Sequence, residues 1–121
     1  PTGPMFRAFD AANPVPAAPE RVDLVGRSYL AVAMLMEKSR NDLEPIAIRR
    51  HCVIQNVLGR LAGRPGALAA RMSGSGATVF GLFTSALAAA RAGREMAGRG
   101  WWSMSAALCA SDRSRLGWCA R

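Results

Sequence analysis

From Glu20 to about Lys38, the apolar positions Val22, Val25, Tyr29, Val32, Ala33 and Met36 recur at helical spacing. This pattern predicts a core-facing helix with Met34 and Met36 as packing residues. Upstream, Asn13–Pro19 holds three prolines in seven residues and is a non-helical connector. Proline is tolerated in a first helical turn, so Gly3 or Pro4 opens a short helix through Phe9. Asn41-Asp42-Leu43-Glu44-Pro45 marks the start of a further helix running to about Ala62, with Ile46, Val53, Val57 and Leu61 on one face. Asn41 is placed to cap it, Glu44 to complete a variant capping box, and Pro45 falls in the first turn. Gly63 and Pro65 stop it. His51, the sole histidine, falls mid-helix without a carboxylate at a clear spacing and reads as structural.

The pattern then changes period. Leu68–Met72 and Ala77–Phe83 are apolar runs of strand length, and Ser73–Gly76 between them reads as a hairpin turn. A turn of this composition admits positive φ angles, and its successive N–H groups can also form a concavity suited to an anion. No Gly-Lys-Ser/Thr follows, and Val79 stands where a third glycine of GxGxxG would be, so neither nucleotide motif is present. Ser85 is a natural N-cap for an Ala-rich helix ending near Gly98. Trp101–Leu108 alternates with Trp102, Met104, Ala106 and Leu108 on one side, which predicts a strand whose tryptophans pack on a sheet. Ser111–Arg121 follows neither period. Helix, helix, helix, strand, turn, strand, helix, strand implies an α+β layer architecture.

The chain has 121 residues, half of them hydrophobic, which is enough for one domain with a modest core. Its longest apolar run, Tyr29–Met36, is far too short for a bilayer, and no signal peptide opens it. A cytoplasmic protein without membrane association is the expectation. Cys52, Cys109 and Cys119 show no CxxC spacing, so reduced, partly buried thiols are expected rather than a disulfide framework or a metal site. The net charge of +8 comes from arginines scattered from Arg7 to Arg121, without an aromatic-interleaved stripe. A nucleic-acid partner is therefore not expected, whereas a phosphorylated small molecule is compatible with the charge.

Four segments together, PTGPMF, NDLEP, ARMSGSGATVFGLF and the Trp-Trp stretch, resemble the C-terminal half of the 4-diphosphocytidyl-2-C-methyl-D-erythritol kinase family of the GHMP kinase superfamily. The resemblance implies a GHMP kinase C-terminal domain over residues 1–108, ferredoxin-like, with helices on one face of an antiparallel sheet. Residues 109–121 form a divergent tail. It implies transfer of the ATP γ-phosphate to the substrate's 2-hydroxyl in non-mevalonate isoprenoid precursor synthesis, with ATP and Mg²⁺ required. Thr2 and Phe6 match the family's substrate-pocket Thr and Phe, the ring stacking on cytosine and the hydroxyl hydrogen-bonding the substrate. Ser73, Gly74, Ser75, Gly76 and Ala77 match the superfamily's third motif, the turn lying against the ATP loop and phosphates. Asn41 and Asp42 match a segment near the same cleft; for both, capping and a role at the site remain open. The family's PxxxGLGGGSS loop is not found, and the sole lysine, Lys38, lies outside any family motif. No catalytic residue and no metal ligand is therefore assigned in this chain, and a partnering N-terminal ATP-binding domain is implied. Two alternatives stay open: another GHMP small-molecule kinase, and a stand-alone ligand-binding or homodimerising α+β domain without catalysis.

Overall fold

A computed structural model describes residues 2–12 and 28–108. The elements are α1 (Thr2–Ala12), α2 (Tyr29–Lys38), α3 (Glu44–Arg50), α4 (Cys52–Ala62), β1 (Ala67–Met72), β2 (Val79–Phe83) and α5 (Ala86–Gly98). The fold is α+β, as the pattern of periods predicts.

The hairpin is its centre. β1 and β2 pair antiparallel in a register that sets Met72 opposite Val79 and Ala67 opposite Phe83, with an irregularity between Ala67 and Ala69. They form a two-stranded sheet among the described residues. Its apolar side chains meet two clusters. Met72 joins Met5, Ile46, Ala47 and Ile54, which draws α1, α3 and α4 onto one end of the hairpin. Val57, Ala70 and Phe83 pack against Leu61, Ala92 and Met96, which seats α4 and α5 together. Val79 packs against both clusters.

The local end signals at α2 and α5 act as their chemistry dictates. Ser28 caps α2 by accepting from the Ala31 N–H, and Ser85 caps α5 by accepting from the Ala88 N–H. At the other end of α2, the Arg71 guanidinium donates to the carbonyls of Met36, Glu37 and Ser39, at 2.7 Å for Glu37. Strand β1 thus supplies the cation that closes α2.

Several expectations need correction. The helix expected to run unbroken to Ala62 breaks at His51, whose φ of −140° and ψ of 83° leave the helical region. The break changes the phase of the buried face: Ile54 is buried while Val53 is exposed. His51 itself is exposed, as is Cys52. Met34, expected to pack, is 60% exposed. The Glu20–Lys38 helix begins at Tyr29 among the described residues, and its earlier apolar positions, like Cys109, Cys119 and the tail, lie outside them.

Trp101–Leu108 is not a strand. The segment instead runs along α5, with the Ser103 and Ser105 hydroxyls donating to the carbonyls of Gly93 and Ala89. Alternation of burial holds only over residues 101–104, and with opposite facing; residues 105–108 are all exposed. Trp101 packs on the Leu61–Ala92–Met96 cluster, whereas Trp102 is 85% exposed and Met104 and Leu108 are also exposed.

Candidate functional site

The turn between the strands spans Ser73–Thr78, longer than the four residues expected. It closes on itself through Ser73 N–H to the Thr78 carbonyl (2.8 Å) and Gly76 N–H to the Ser73 carbonyl (3.0 Å). Gly74 and Gly76 sit at φ of 54° and 80°, where a side chain is strained. Among the described residues, the N–H groups of Gly74, Ser75 and Ala77 have no acceptor. Such free donors on an exposed turn suit an anionic oxygen.

Two neighbours flank the turn. On one side, the Ser75 hydroxyl donates to the Thr2 hydroxyl at 3.3 Å, which brings the start of α1 against it. Phe6 follows one helical turn later, and its ring is half exposed. Met5, the adjacent residue and about 100° around the helix, anchors α1 in the core. The Arg50 guanidinium also donates to the Pro4 carbonyl, fixing α1 to α3. An exposed aromatic held by a buried neighbour presents a flat face for a planar ligand.

On the other side stands Asn41. Its Nδ2 donates to the carbonyls of Met72 (3.0 Å) and Gly74 (2.9 Å), while its Oδ1 accepts from the Leu43 N–H (3.1 Å). The amide orientation follows, since nitrogen faces two acceptors and oxygen a donor. Asn41 is thus not the side-chain cap of α3. Nor does Glu44 form the expected capping box: its Oε2 accepts from the Met72 N–H at 2.9 Å. Glu44 serves the end of β1 instead, and Asn41 joins it there through Nδ2 while its Oδ1 keeps the local bond to the Leu43 N–H. Glu44 was not among the expected site residues. Its pattern in sequence is that of a first-turn acid, and only the approach of β1 reveals its partner.

The structure therefore brings together Thr2, Ser73, Gly74, Ser75, Gly76 and Asn41, with Phe6 at the margin. Asp42 is not drawn in; its carboxylate pairs with Arg40 at 2.7 Å. Ala77 lines a separate groove of about 650 Å³, together with residues of α4, β2, α5 and 101–106. Among the described residues, no cluster of three His, Cys, Asp or Glu side chains is placed to hold a metal ion. No helix among them is long and apolar enough to cross a membrane.

The Ser/Gly hairpin of this α+β layer thus presents free N–H groups beside a helix carrying a hydroxyl and an open aromatic. The family follows from comparison: residues 23–101 match the GHMP kinases C-terminal family, and the chain belongs to the GHMP kinases as their C-terminal domain. It is similar to the 4-diphosphocytidyl-2-C-methyl-D-erythritol kinase of Rhizorhabdus wittichii, 44% identical over 89% of this chain and 34% of the relative. The enzyme of the same name from Cereibacter sphaeroides is 47% identical over 84% of this chain and 37% of its own length. That of Rhodospirillum rubrum is 42% identical over 96% and 38%. The chain spans a little over a third of the length of these curated relatives. No solved structure matches it.

Proposed function

We propose that this chain forms the C-terminal domain, over residues 1–108, of an ATP-dependent kinase acting on the 2-hydroxyl of 4-diphosphocytidyl-2-C-methyl-D-erythritol. The reaction belongs to non-mevalonate isoprenoid precursor synthesis in the cytoplasm. The observation carrying this reading is the Ser75–Thr2 contact, which sets the turn with free N–H groups beside the helix bearing Phe6. In this reading Phe6 stacks on the cytosine and Thr2 hydrogen-bonds the substrate. Ser73–Ala77 lies against the phosphates, with Gly74 and Ser75 donating backbone N–H groups.

Phosphoryl transfer asks for positioning and charge neutralisation more than for covalent help. The described residues fit the first demand, because the turn supplies donors and no carboxylate of its own. Mg²⁺ would neutralise the phosphate charge, and its ligands and the catalytic base are assigned to an N-terminal domain that partners this one. The test is ADP release by the full-length protein carrying this chain. Release that depends on the cytidyl substrate is expected. Release with homoserine or mevalonate, and not with the cytidyl substrate, would assign it to another GHMP kinase.

A further inference from the structure

Asn41 lies 31 and 33 residues from the two carbonyls it holds. A peptide unit is planar, and in the trans form its C=O and the following N–H point in opposite directions. Holding the Gly74 carbonyl inward therefore turns the Ser75 N–H outward. The cis bond in this turn is at Gly76–Ala77, so the Gly74–Ser75 unit obeys this rule. The Met72 carbonyl is held by the same Nδ2, and its opposite end, the Ser73 N–H, is taken up by Thr78. Glu44 fixes the preceding unit by accepting the Met72 N–H. Two successive peptide units are thus oriented from outside the hairpin, and Asn41 also holds the Gly74–Ser75 unit by its carbonyl.

We infer that Asn41, supported by Glu44, is a positioning residue that aims the Ser75 N–H at a phosphate oxyanion of the ligand. The inference rests on the proposed function for its ligand class, though not for its geometry. Asn41 touches neither the ligand nor the reacting atoms; it acts through the backbone it holds. Its side-chain contacts are all with backbone groups, so replacing its donors changes the direction of an N–H without removing any group from the ligand surface.

The decisive variant is Asn41→Asp. It keeps the side-chain volume and the Oδ1 acceptor for Leu43, but replaces both donors with an oxygen facing two carbonyls and adds a negative charge. Asn41→Leu, which removes the donors without a charge, should weaken the Ser75 response as well. The probe is pyrophosphate, titrated into the ¹⁵N-labelled full-length protein carrying this chain while the Ser75 amide resonance is followed. The parent should show a saturable Ser75 shift, and Asn41→Asp should bind about tenfold more weakly or lose the Ser75 response. Glu44→Gln, which retains an acceptor for the Met72 N–H, should stay within about twofold of the parent, whereas Glu44→Ala should move toward Asn41→Asp. Leu61→Ala serves as a destabilised control that lowers Tm yet keeps the Ser75 response. No Ser75 shift in the parent, or an unchanged one in Asn41→Asp, overturns the inference. A Ser75 response lost in Asn41→Asp, in a protein that phosphorylates no cytidyl substrate, upholds the positioning role and rejects the substrate assignment alone.

Discussion

Replacing Gly76 by alanine should destabilise the protein more than replacing Gly74, although both glycines lie in one turn at positive φ. At Gly74, with φ of 54°, an added Cβ meets nothing within 4 Å. The penalty there is the left-handed backbone alone, about 1–2 kcal/mol for a residue with a Cβ. At Gly76, with φ of 80°, the Cβ would stand 2.8 Å from the Met72 sulfur. Met72 is only 3% exposed and packs among Met5, Ile46, Ala47 and Ile54, so its thioether has no solvent to swing into. Displacing it adds about 1–3 kcal/mol of overpacking. The totals are about 1–2 kcal/mol for Gly74→Ala and about 2–5 kcal/mol for Gly76→Ala. Equilibrium urea unfolding of both variants measures the difference, and unchanged m values would show that the loss is in stability. In thermal unfolding each kcal/mol corresponds to about 4–8 °C for a domain of this size. Losses equal to within about 0.5 kcal/mol would refute the reasoning, because the Met72 contact would then be carrying no load.

Three further outcomes test the capping and the packing. Arg71→Ala should cost about 1–2 kcal/mol and speed amide exchange in the last turn of α2, since three carbonyls lose a charged donor; exchange unchanged there would refute the capping role. Trp101→Ala should cost about 2 kcal/mol, because its ring is half-buried on the Leu61–Ala92–Met96 cluster. Trp102→Ala should stay within about 0.5 kcal/mol, and a larger loss in denaturant unfolding would show that its ring is packed after all.

What the sequence determined by itself is whatever depends on neighbours a few residues apart. Ser85 announces α5 because a serine hydroxyl can reach the N–H three residues on without help from elsewhere. The hairpin is legible because two apolar runs flank a turn of Ser and Gly, and both strands lie within a residue or two of their expected limits. The short first helix follows from where Pro4 falls. The resemblance to a kinase family rested on four such local segments, and the match over residues 23–101 bears out the family.

Tertiary structure decided everything that needed a distant partner. No proline or glycine announces the break at His51, and it determines that Ile54 rather than Val53 enters the core. Asn41 and Glu44 carry helix-start chemistry in sequence, yet hydrogen bonds are made to whichever partner is in reach, and here that partner is the end of β1. Trp101–Leu108 has the alternation of a strand, but alternation specifies an extended backbone and not a neighbour. With α5 alongside it, the serine hydroxyls bond to helix carbonyls and Trp101, not Trp102, turns inward. The contact of Thr2 with Ser75 joins residues 73 positions apart, and the packing of Met5 on α3 and α4, with the Arg50 bond to the Pro4 carbonyl, brings them together.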